Sequence, residues 1–556
     1  MHSLYMGCFA VIIILGSADG CRAQGSIMLV GGGAESYGGW SDEPYQRFVD
    51  ESDSGIIINI DVDAASSWYP GYFRSLGAAD GSHALQIANS TAANDMATYT
   101  DLISASGIFI EGGDQWDYVN MWKGTLVEDA IHHVFAAGGA IGGTSAGLAV
   151  LGEVVFDARY GNIYPEEAAY DPYDYHLTFT DDFLTILPDV IADSHFNTRG
   201  RIGRLVPFIA RRIQDFGDST IIGIGVEEKT AFCIGSDRTA TVYGECVTVI
   251  RAGEYSTIKC SSGVPLSCTD VNFDQMLHGA VYDLYEGNVL SPGSFLETLE
   301  GPCPPPPQYP TIVLSGSMET TADSGEVRVT GVTEDPDNWW YGDLGLVPGS
   351  AAVPRTVIMP RMWTDPDYFA NRWIGMLYGV VENPFFLGFI IDAGGTMSVS
   401  ADGYVSVDNI GYVLDTCPAE FLGSNVYNIP GLISARLDIL APDDTLDLNP
   451  PEKITDLDVG LSSGRYDIML TWSEPRDLSG IHHYNVYRVD QPHGSLIGLA
   501  PRDSVADTLY IDTGAAGSPD QQYYYAITSV DSLGRESIPS NRVGVLSYGV
   551  NVSGLK

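Results

Sequence analysis

The stretch Gly142-Gly143-Thr144-Ser145-Ala146-Gly147 constrains this chain more than any other. It contains a G-x-S-x-G core, the spacing that sets a serine on a tight turn between a strand and a helix. A serine held there has strained backbone angles and close neighbours, so only small flanking residues fit. The flanks agree. Val134 to Ile141 reads as a helix end, a glycine break and a short buried strand, and Leu148 to Val155 reads as the start of a buried helix. Ser145 is therefore a candidate nucleophile. The competing reading is a small-residue turn that serves packing alone.

Two further stretches carry chemistry. In Ile108-Phe109-Ile110-Glu111-Gly112-Gly113-Asp114-Gln115 an apolar strand runs into a Gly-Gly turn that can aim backbone N–H groups at a developing oxyanion. Asp114 is placed either to cap the next segment or to touch substrate. In Asp193-Ser194-His195-Phe196-Asn197-Thr198-Arg199-Gly200-Arg201-Ile202-Gly203-Arg204-Leu205 a histidine is followed closely by three arginines. A lone histidine is more often structural, and an arginine cluster is more often a solvated face. This chain has only 27 Lys+Arg, which disfavours the solvated face. A third element, Gly223 to Phe232, ends a strand in Glu227 and Glu228. Adjacent strand residues point to opposite faces, so one of the two can orient a histidine.

Taken together, the Gly-Gly-Asp-Gln turn, Gly-Gly-Thr-Ser-Ala-Gly, His-Phe-x-x-Arg-x-Arg-x-x-Arg-Leu and Gly-Ile-Gly-x-x-Glu-x-Thr-Ala resemble the motifs of cyanophycinases. These are serine exopeptidases of the peptidase E family with an α/β, class I glutamine amidotransferase-like (flavodoxin-like) fold. The resemblance spans about residues 25 to 290. It implies Ser145 as nucleophile, His195 as general base and Glu228 as the acid that orients it, with Glu227 as the fallback. It implies an oxyanion hole from the amides of Gly113 and Ala146. It puts Gln115, Asp193, Arg199, Arg201 and Arg204 in the substrate groove. The implied substrate, cyanophycin, is a polyaspartate with arginine on each side-chain carboxyl. Arginine forks would suit its carboxylates and acidic residues its guanidinium groups. The implied product is the β-aspartyl-arginine dipeptide. Members of the family are often dimers, which makes a homodimer the implied assembly. The chain departs from the pattern at Ser194, Glu227, Lys229 and Leu148, which touches substrate choice more than the triad.

With 72 Asp+Glu the net charge is −45, which argues against nucleic acid and anionic membranes as partners. Residues 1–23 read as a signal peptide: the apolar run from Cys8 to Gly16 is too short to span a bilayer. A lipid anchor at Cys21 fits less well, because Ala18 is a poor lipobox residue. The protein is thus expected to be secreted. Cys233, Cys246, Cys260, Cys268, Cys303 and Cys417 then remain, an even number that fits disulfides. Cys260 with Cys268 is the first expected pair, and Cys233 with Cys246 the second. No cysteine or histidine cluster has zinc spacing, so neither metal nor cofactor is implied.

A chain of 556 residues divides into several domains. Apolar runs such as Ile56 to Asp61, Gly107 to Ile110 and Ile221 to Ile224 fit a mostly parallel sheet covered on both faces, in a catalytic domain over 25–295. Gly301-Pro302-Cys303 and the prolines after it mark a stiff linker over 296–308. Residues 309–447 read as a β-rich middle domain. Within it, Tyr368 to Leu377 echoes the His195 segment, and Leu387 to Thr396 echoes the Glu228 strand. Tyr368 stands for the histidine, Ala393 for the acid, and no Ser-Ala-Gly precedes them. This is a catalytically silent partial copy or a chance similarity. Residues 450–548 show strict alternation around Trp472, Tyr484 and Tyr523 to Tyr525, and closely resemble a fibronectin type III β-sandwich. The whole reads as a secreted serine exopeptidase that breaks down cyanophycin. The alternatives are a hydrolase of small aspartyl peptides with the same fold, and a non-catalytic binding protein with a decayed peptidase domain.

Overall fold

The computed structural model describes residues 25–553 except 294–295, 300–303, 305, 331–343, 363–371, 418, 426–428, 463–465, 476–479, 491–495, 497–498, 517–521, 533–534 and 547–549. The expected signal peptide, Cys21, Cys303 and Tyr368 lie outside the described residues. Among those described, no helix is long and apolar enough to cross a membrane.

Five parallel strands begin the fold: β1 (Ile27–Val30), β2 (Ile57–Asp61), β3 (His83–Gln86), β4 (Gly107–Ile110) and β5 (Ala140–Thr144), in the order β1-β5-β4-β2-β3. Every residue of β1, β2, β4 and β5 is buried. Strands covered on both faces are near-continuous apolar runs, and these are, apart from Asn59 and Asp61 in β2 and Thr144 in β5. Alternate residues serve two cores. Ile27, Leu29, Ile108 and Ile110 pack on one side, against helices Gln115–Trp122 and Leu126–Ala136. Met28, Val30 and Phe109 pack on the other with Tyr45, Phe48, Tyr72 and Phe73.

The chain then leaves this sheet for a second one through β6 (Gly152–Phe156), β7 (Phe179–Thr180), β8 (Leu187–Asp193) and β9 (Ile222–Val226), where β6, β8 and β9 are parallel. Helix Ile202–Phe216 crosses over between β8 and β9 and ends at Gly217, whose φ of 70° no β-branched residue would accept. β10 (Ala231–Ile234) returns to the first sheet antiparallel to β1, followed by β11 (Thr239–Tyr243). The hairpin β12 (Cys246–Ser261) and β13 (Val264–Leu277) extends the second sheet; β14 (Val281–Asp283) and β15 (Asn288–Ser291) close the first.

Residues 309–447 supply β17 (Ile312–Ser315) to β27 (Thr445–Asp447) after the short β16 (Glu297–Thr298). They are not a free-standing unit. β26 (Pro430–Leu440) pairs antiparallel with β13, so one sheet runs unbroken from the catalytic half into the middle region, past the expected linker. The C-terminal region forms two facing antiparallel sheets around Ile468, Leu470, Trp472, Tyr484, Val486, Tyr525 and Ile527. Trp472 meets Tyr484 edge to face, with centroids 5.2 Å apart. The α/β catalytic domain, β-rich middle and C-terminal sandwich are those expected from the sequence.

The cysteine pairing is corrected. Cys233, Cys246, Cys260 and Cys268 are free and buried, and Cys417 is disulfide-bonded. Cys233 lies in β10 and faces Thr241, whereas Cys246 opens β12 in the other sheet. Cys268 stands opposite Ile258, two residues from Cys260, a diagonal that exceeds the reach of a disulfide. Burial pushes the Cys233 and Cys260 thiols up to about 12. The expected outcome of alkylation followed by mass spectrometry is no label on these four residues in the native protein and a label on all four in denaturant.

Candidate active site

The ends of β1, β4, β5, β8 and β9 meet at the site, and glycines stand where backbone meets backbone. Ser145 follows β5 with φ 53° and ψ −113°, a conformation costly for any residue with a Cβ. Its N–H donates to the carbonyl of Val30 at the end of β1. A Cβ on Gly143 would lie 2.2 Å from the carbonyl oxygen of Gly147, and one on Gly147 would lie 2.2 Å from that of Ile110. A Cβ on Gly112 would come within 3.3 Å of the Ser145 Cβ. The glycines of the motif are thus fixed by backbone contact.

His195 stands two residues past β8 with φ 46°. Its N–H donates to Gly31 O at 2.8 Å. A Cβ on Gly32, which has φ 109°, would fall 2.2 Å from His195 Cε1, so the imidazole is seated against bare backbone. The run Gly31-Gly32-Gly33 after β1 is a part of the site that the sequence reasoning missed. Its signal was present: three glycines directly after an apolar strand.

The geometry joins the three residues picked from sequence. The Ser145 hydroxyl donates to His195 Nε2 at 2.9 Å, and His195 Nδ1 donates to Glu228 Oε1 at 2.6 Å. The carboxylate accepts only, which assigns the proton to Nδ1 and leaves Nε2 as the base. Burial lowers the pKa of His195, with Arg199 and Arg201 adding to the fall and the bond to Glu228 opposing it. Glu228 is held below the usual carboxylate range chiefly by its bond to His195.

The glutamate bonded to His195 is Glu228, and Glu227 has other partners. It is 2% exposed, and its carboxylate accepts four bonds: from the N–H groups of Asn197 (2.5 Å), Thr198 (3.0 Å) and Glu228 (2.6 Å), and from the Thr198 hydroxyl (2.6 Å). It ties the turn after His195 to the loop that carries Glu228.

The residues expected in the groove divide. Asp193 is buried and paired with both Arg201 and Arg204, at 2.8 and 2.6 Å. Burial alone would raise its pKa, but the two guanidinium groups outweigh that and lower it. Arg201 is pushed down to about 9 by burial and by Arg204. Arg204 also donates to Asn162 and lies over the rings of Phe156 and Phe208. These three are buried and paired with one another beside the His195 loop. Arg199 is half-buried, and its pKa is lowered by burial and raised by the neighbouring Glu228. Gln115 donates to Phe156 O at 3.2 Å, and Asp114 caps the helix by accepting from Trp116 N–H at 2.9 Å. Gly113 is exposed on its turn, and Ala146 opens the helix after Ser145. Beside Gln115 and Phe156 is a cleft of about 760 Å³ lined by Trp116, Asp157, Arg159, Thr178, Arg211 and Asp215 among others. The Arg159 guanidinium lies 5.2 Å from the Trp116 ring. Among the described residues no cluster suits a metal ion.

Residues 69–242 match the sequence model of Peptidase family S51. The cyanophycinase of Synechococcus elongatus is 29% identical over 227 residues, which cover 40% of this chain and 66% of the relative. That of Geminocystis herdmanii is 25% identical over 272 residues, covering 47% and 94%. The chain thus spans just under two thirds of the length of the first of these relatives. Among solved structures, a peptidase from an acI-B1 Actinobacterium aligns over 47% of this chain and 97% of its own at 18% identity and TM-score 0.30. A Fn3-like protein from Clostridium thermocellum aligns over 17% and 88% at 28% identity and TM-score 0.14.

Two outcomes follow from this geometry. His195 must be neutral to accept the Ser145 proton, so acidification is expected to remove the reactivity of Ser145. Because its pKa is lowered, the acid limb of Ser145 labelling by a fluorophosphonate should have its midpoint below the ordinary imidazole value of 6.5. Glu227→Gln turns one acceptor oxygen into a donor facing N–H groups. The expected effect is a roughly 10- to 100-fold fall in the labelling rate with the fold retained by circular dichroism.

Proposed function

We propose that this chain is a secreted serine exopeptidase that hydrolyses cyanophycin to β-aspartyl-arginine through an acyl-enzyme on Ser145. The observation that carries the reading is the unbroken chain Ser145–His195–Glu228, with bonds of 2.9 and 2.6 Å. It is supported by the family S51 match and by the similarity to cyanophycinases.

In this mechanism Ser145 Oγ attacks the scissile carbonyl carbon while its proton passes to His195 Nε2. Glu228 holds the ring and stabilises the imidazolium that forms. The amides of Gly113 and Ala146 would take the oxyanion. The C–N bond breaks as His195 returns the proton to the leaving amine. Water, deprotonated by the same nitrogen, then attacks the ester and frees Ser145. No cofactor enters. Of the residues expected to read substrate, Arg199 is half-buried beside Glu228 and Gln115 donates to Phe156 O, and Arg199 suits a carboxylate of the arginyl group. The cleft beside Gln115 has both cations and carboxylates on its walls, which suits a zwitterionic polymer.

Mature protein and its Ser145→Ala variant are to be incubated with insoluble cyanophycin and the soluble products read by mass spectrometry. The wild type is expected to release β-aspartyl-arginine, and the variant to lose roughly four to six orders of magnitude in rate. A wild type that labels with a fluorophosphonate at Ser145 yet releases nothing would leave the serine chemistry standing and remove cyanophycin as substrate.

A further inference from the structure

The strands of the middle region repeat those of the catalytic half in order and spacing. β9, β10, β11 and β12 open at residues 222, 231, 239 and 246. β21 (Leu387–Ile391), β22 (Thr396–Val399), β23 (Tyr404–Val407) and β24 (Gly411–Asp415) open at 387, 396, 404 and 411, each 165 residues later. The pairings repeat as well. β6, β8 and β9 are parallel neighbours, as are β18 (Gly325–Thr330), β20 (Val353–Pro360) and β21. A helix crosses over in each case, Ile202–Phe216 in the first and Trp373–Val381 in the second. β9·β12 and β12·β13 are antiparallel, as are β21·β24 and β24·β26. β1·β10, β10·β11 and β11·β14 correspond to β17·β22, β22·β23 and β23·β27.

The likeness extends to single backbone atoms. A Cβ on Gly31 would lie 2.0 Å from Glu227 O, and one on Gly316 would lie 1.9 Å from Asp392 O, where Asp392 is residue 227 moved on by the same 165. Lys229 and Gly394 both have positive φ, as do Arg238 and Gly403. Gly235 N–H reaches Thr239 O at 2.9 Å, and Ser400 N–H reaches Tyr404 O at 2.9 Å. Chance similarity does not reproduce such details together.

The second copy lacks the chemistry. The chain passes from β17 to β18 through 316–324, where the first copy spends residues 31–151 and builds the Ser145 turn. Ala393 stands where Glu228 does. β20 pairs Met359 with Ile390 as β8 pairs Asp193 with Gly225, so Arg361 takes the place of His195, which corrects the sequence echo that put Tyr368 there.

The two copies also face each other. The long sheet reads β19-β18-β20-β21-β24-β26-β13-β12-β9-β8-β6-β7, the same series outward from its centre in both directions. At the centre β13 and β26 are antiparallel, as a two-fold axis through the seam requires. Phe273 and Leu437 are buried there, Gln275 Nε2 donates to Pro430 O at 2.6 Å, and Asp270 N–H donates to Asp438 Oδ1 at 2.8 Å. Tyr170 of the first copy donates to Asp392 at 2.6 Å, so the vacated site of the second copy braces the end of helix Pro165–Tyr170 in the first.

We propose that residues 309–447 are a second, silent copy of the α/β unit that occupies, within one chain, the place of a partner subunit on the β13 edge. A strand edge of this length is an adhesive surface unless covered, and β26 covers it permanently.

The test uses the full chain with a protease site inserted among the prolines 304–307. Light scattering is expected to give the mass of one chain from low to high micromolar concentration. After cleavage the two pieces should elute together one to one, with Ser145 labelling retained. Leu437→Asp, which charges the seam, should make the full chain associate with concentration as β13 is freed. A cleaved protein whose catalytic piece separates as a stable, reactive monomer would overturn the proposal, and so would a seam variant that stays monomeric and unchanged. Mass and co-elution do not depend on the substrate, so these results stand apart from the cyanophycin assay.

Discussion

Close approach of backbone to backbone at the ends of β1, β4, β5 and β9 is the constraint from which the rest of the site follows. Gly31 abuts the Glu227 carbonyl, Gly147 abuts that of Ile110, and Gly32 abuts the His195 ring. Removing side chains at these points lets a serine with φ 53°, a histidine with φ 46° and a glutamate on a third loop come within hydrogen-bond distance. The strain at Ser145 and His195 is borne by the packed sheet beneath them, whose strands are fully buried.

Charge is handled in the same way. The region around His195 holds several ionised groups out of water, and each is met by partners. Asp193 faces two arginines, and Glu227 faces three N–H groups and a hydroxyl. Breaking either set would strand a buried charge, which costs several kcal/mol where exposed ion pairs contribute about 0–1. The neutral, proton-accepting His195 depends on that surrounding order, because burial disfavours its charged form while Glu228 restrains the tautomer.

The hydrogen-bonded chain Ser145–His195–Glu228 was legible because its motifs are short and local: the small residues around Ser145, the histidine after a strand, and the acid at the end of Gly223 to Val226. The choice between Glu227 and Glu228 needed the resemblance, since the alternation of a strand says only that they point apart. Asp193, Arg201 and Arg204 could not be placed from sequence, because a buried ion-pair network and a substrate groove use the same residue types. The cysteine pairs failed for a related reason. Spacing of eight residues suggested a loop between Cys260 and Cys268, but both lie in long strands whose register sets them diagonally. The sandwich was readable from its alternation.

The middle region was the least legible part because its identity with the catalytic half is topological. Apolar strand residues exchange freely, as between Ile224 and Phe389 or Val249 and Leu414, while the offset of strands and turns is conserved in the fold. The positions that keep a likeness are those where backbone leaves no choice, such as Gly31 with Gly316. The residues proposed for catalysis have no counterpart in the second copy, where Ala393 and Arg361 take the places of Glu228 and His195. The edge pairing is under a different constraint. β13 must be covered whether or not the second site works, so the copy retains its sheet and loses its chemistry.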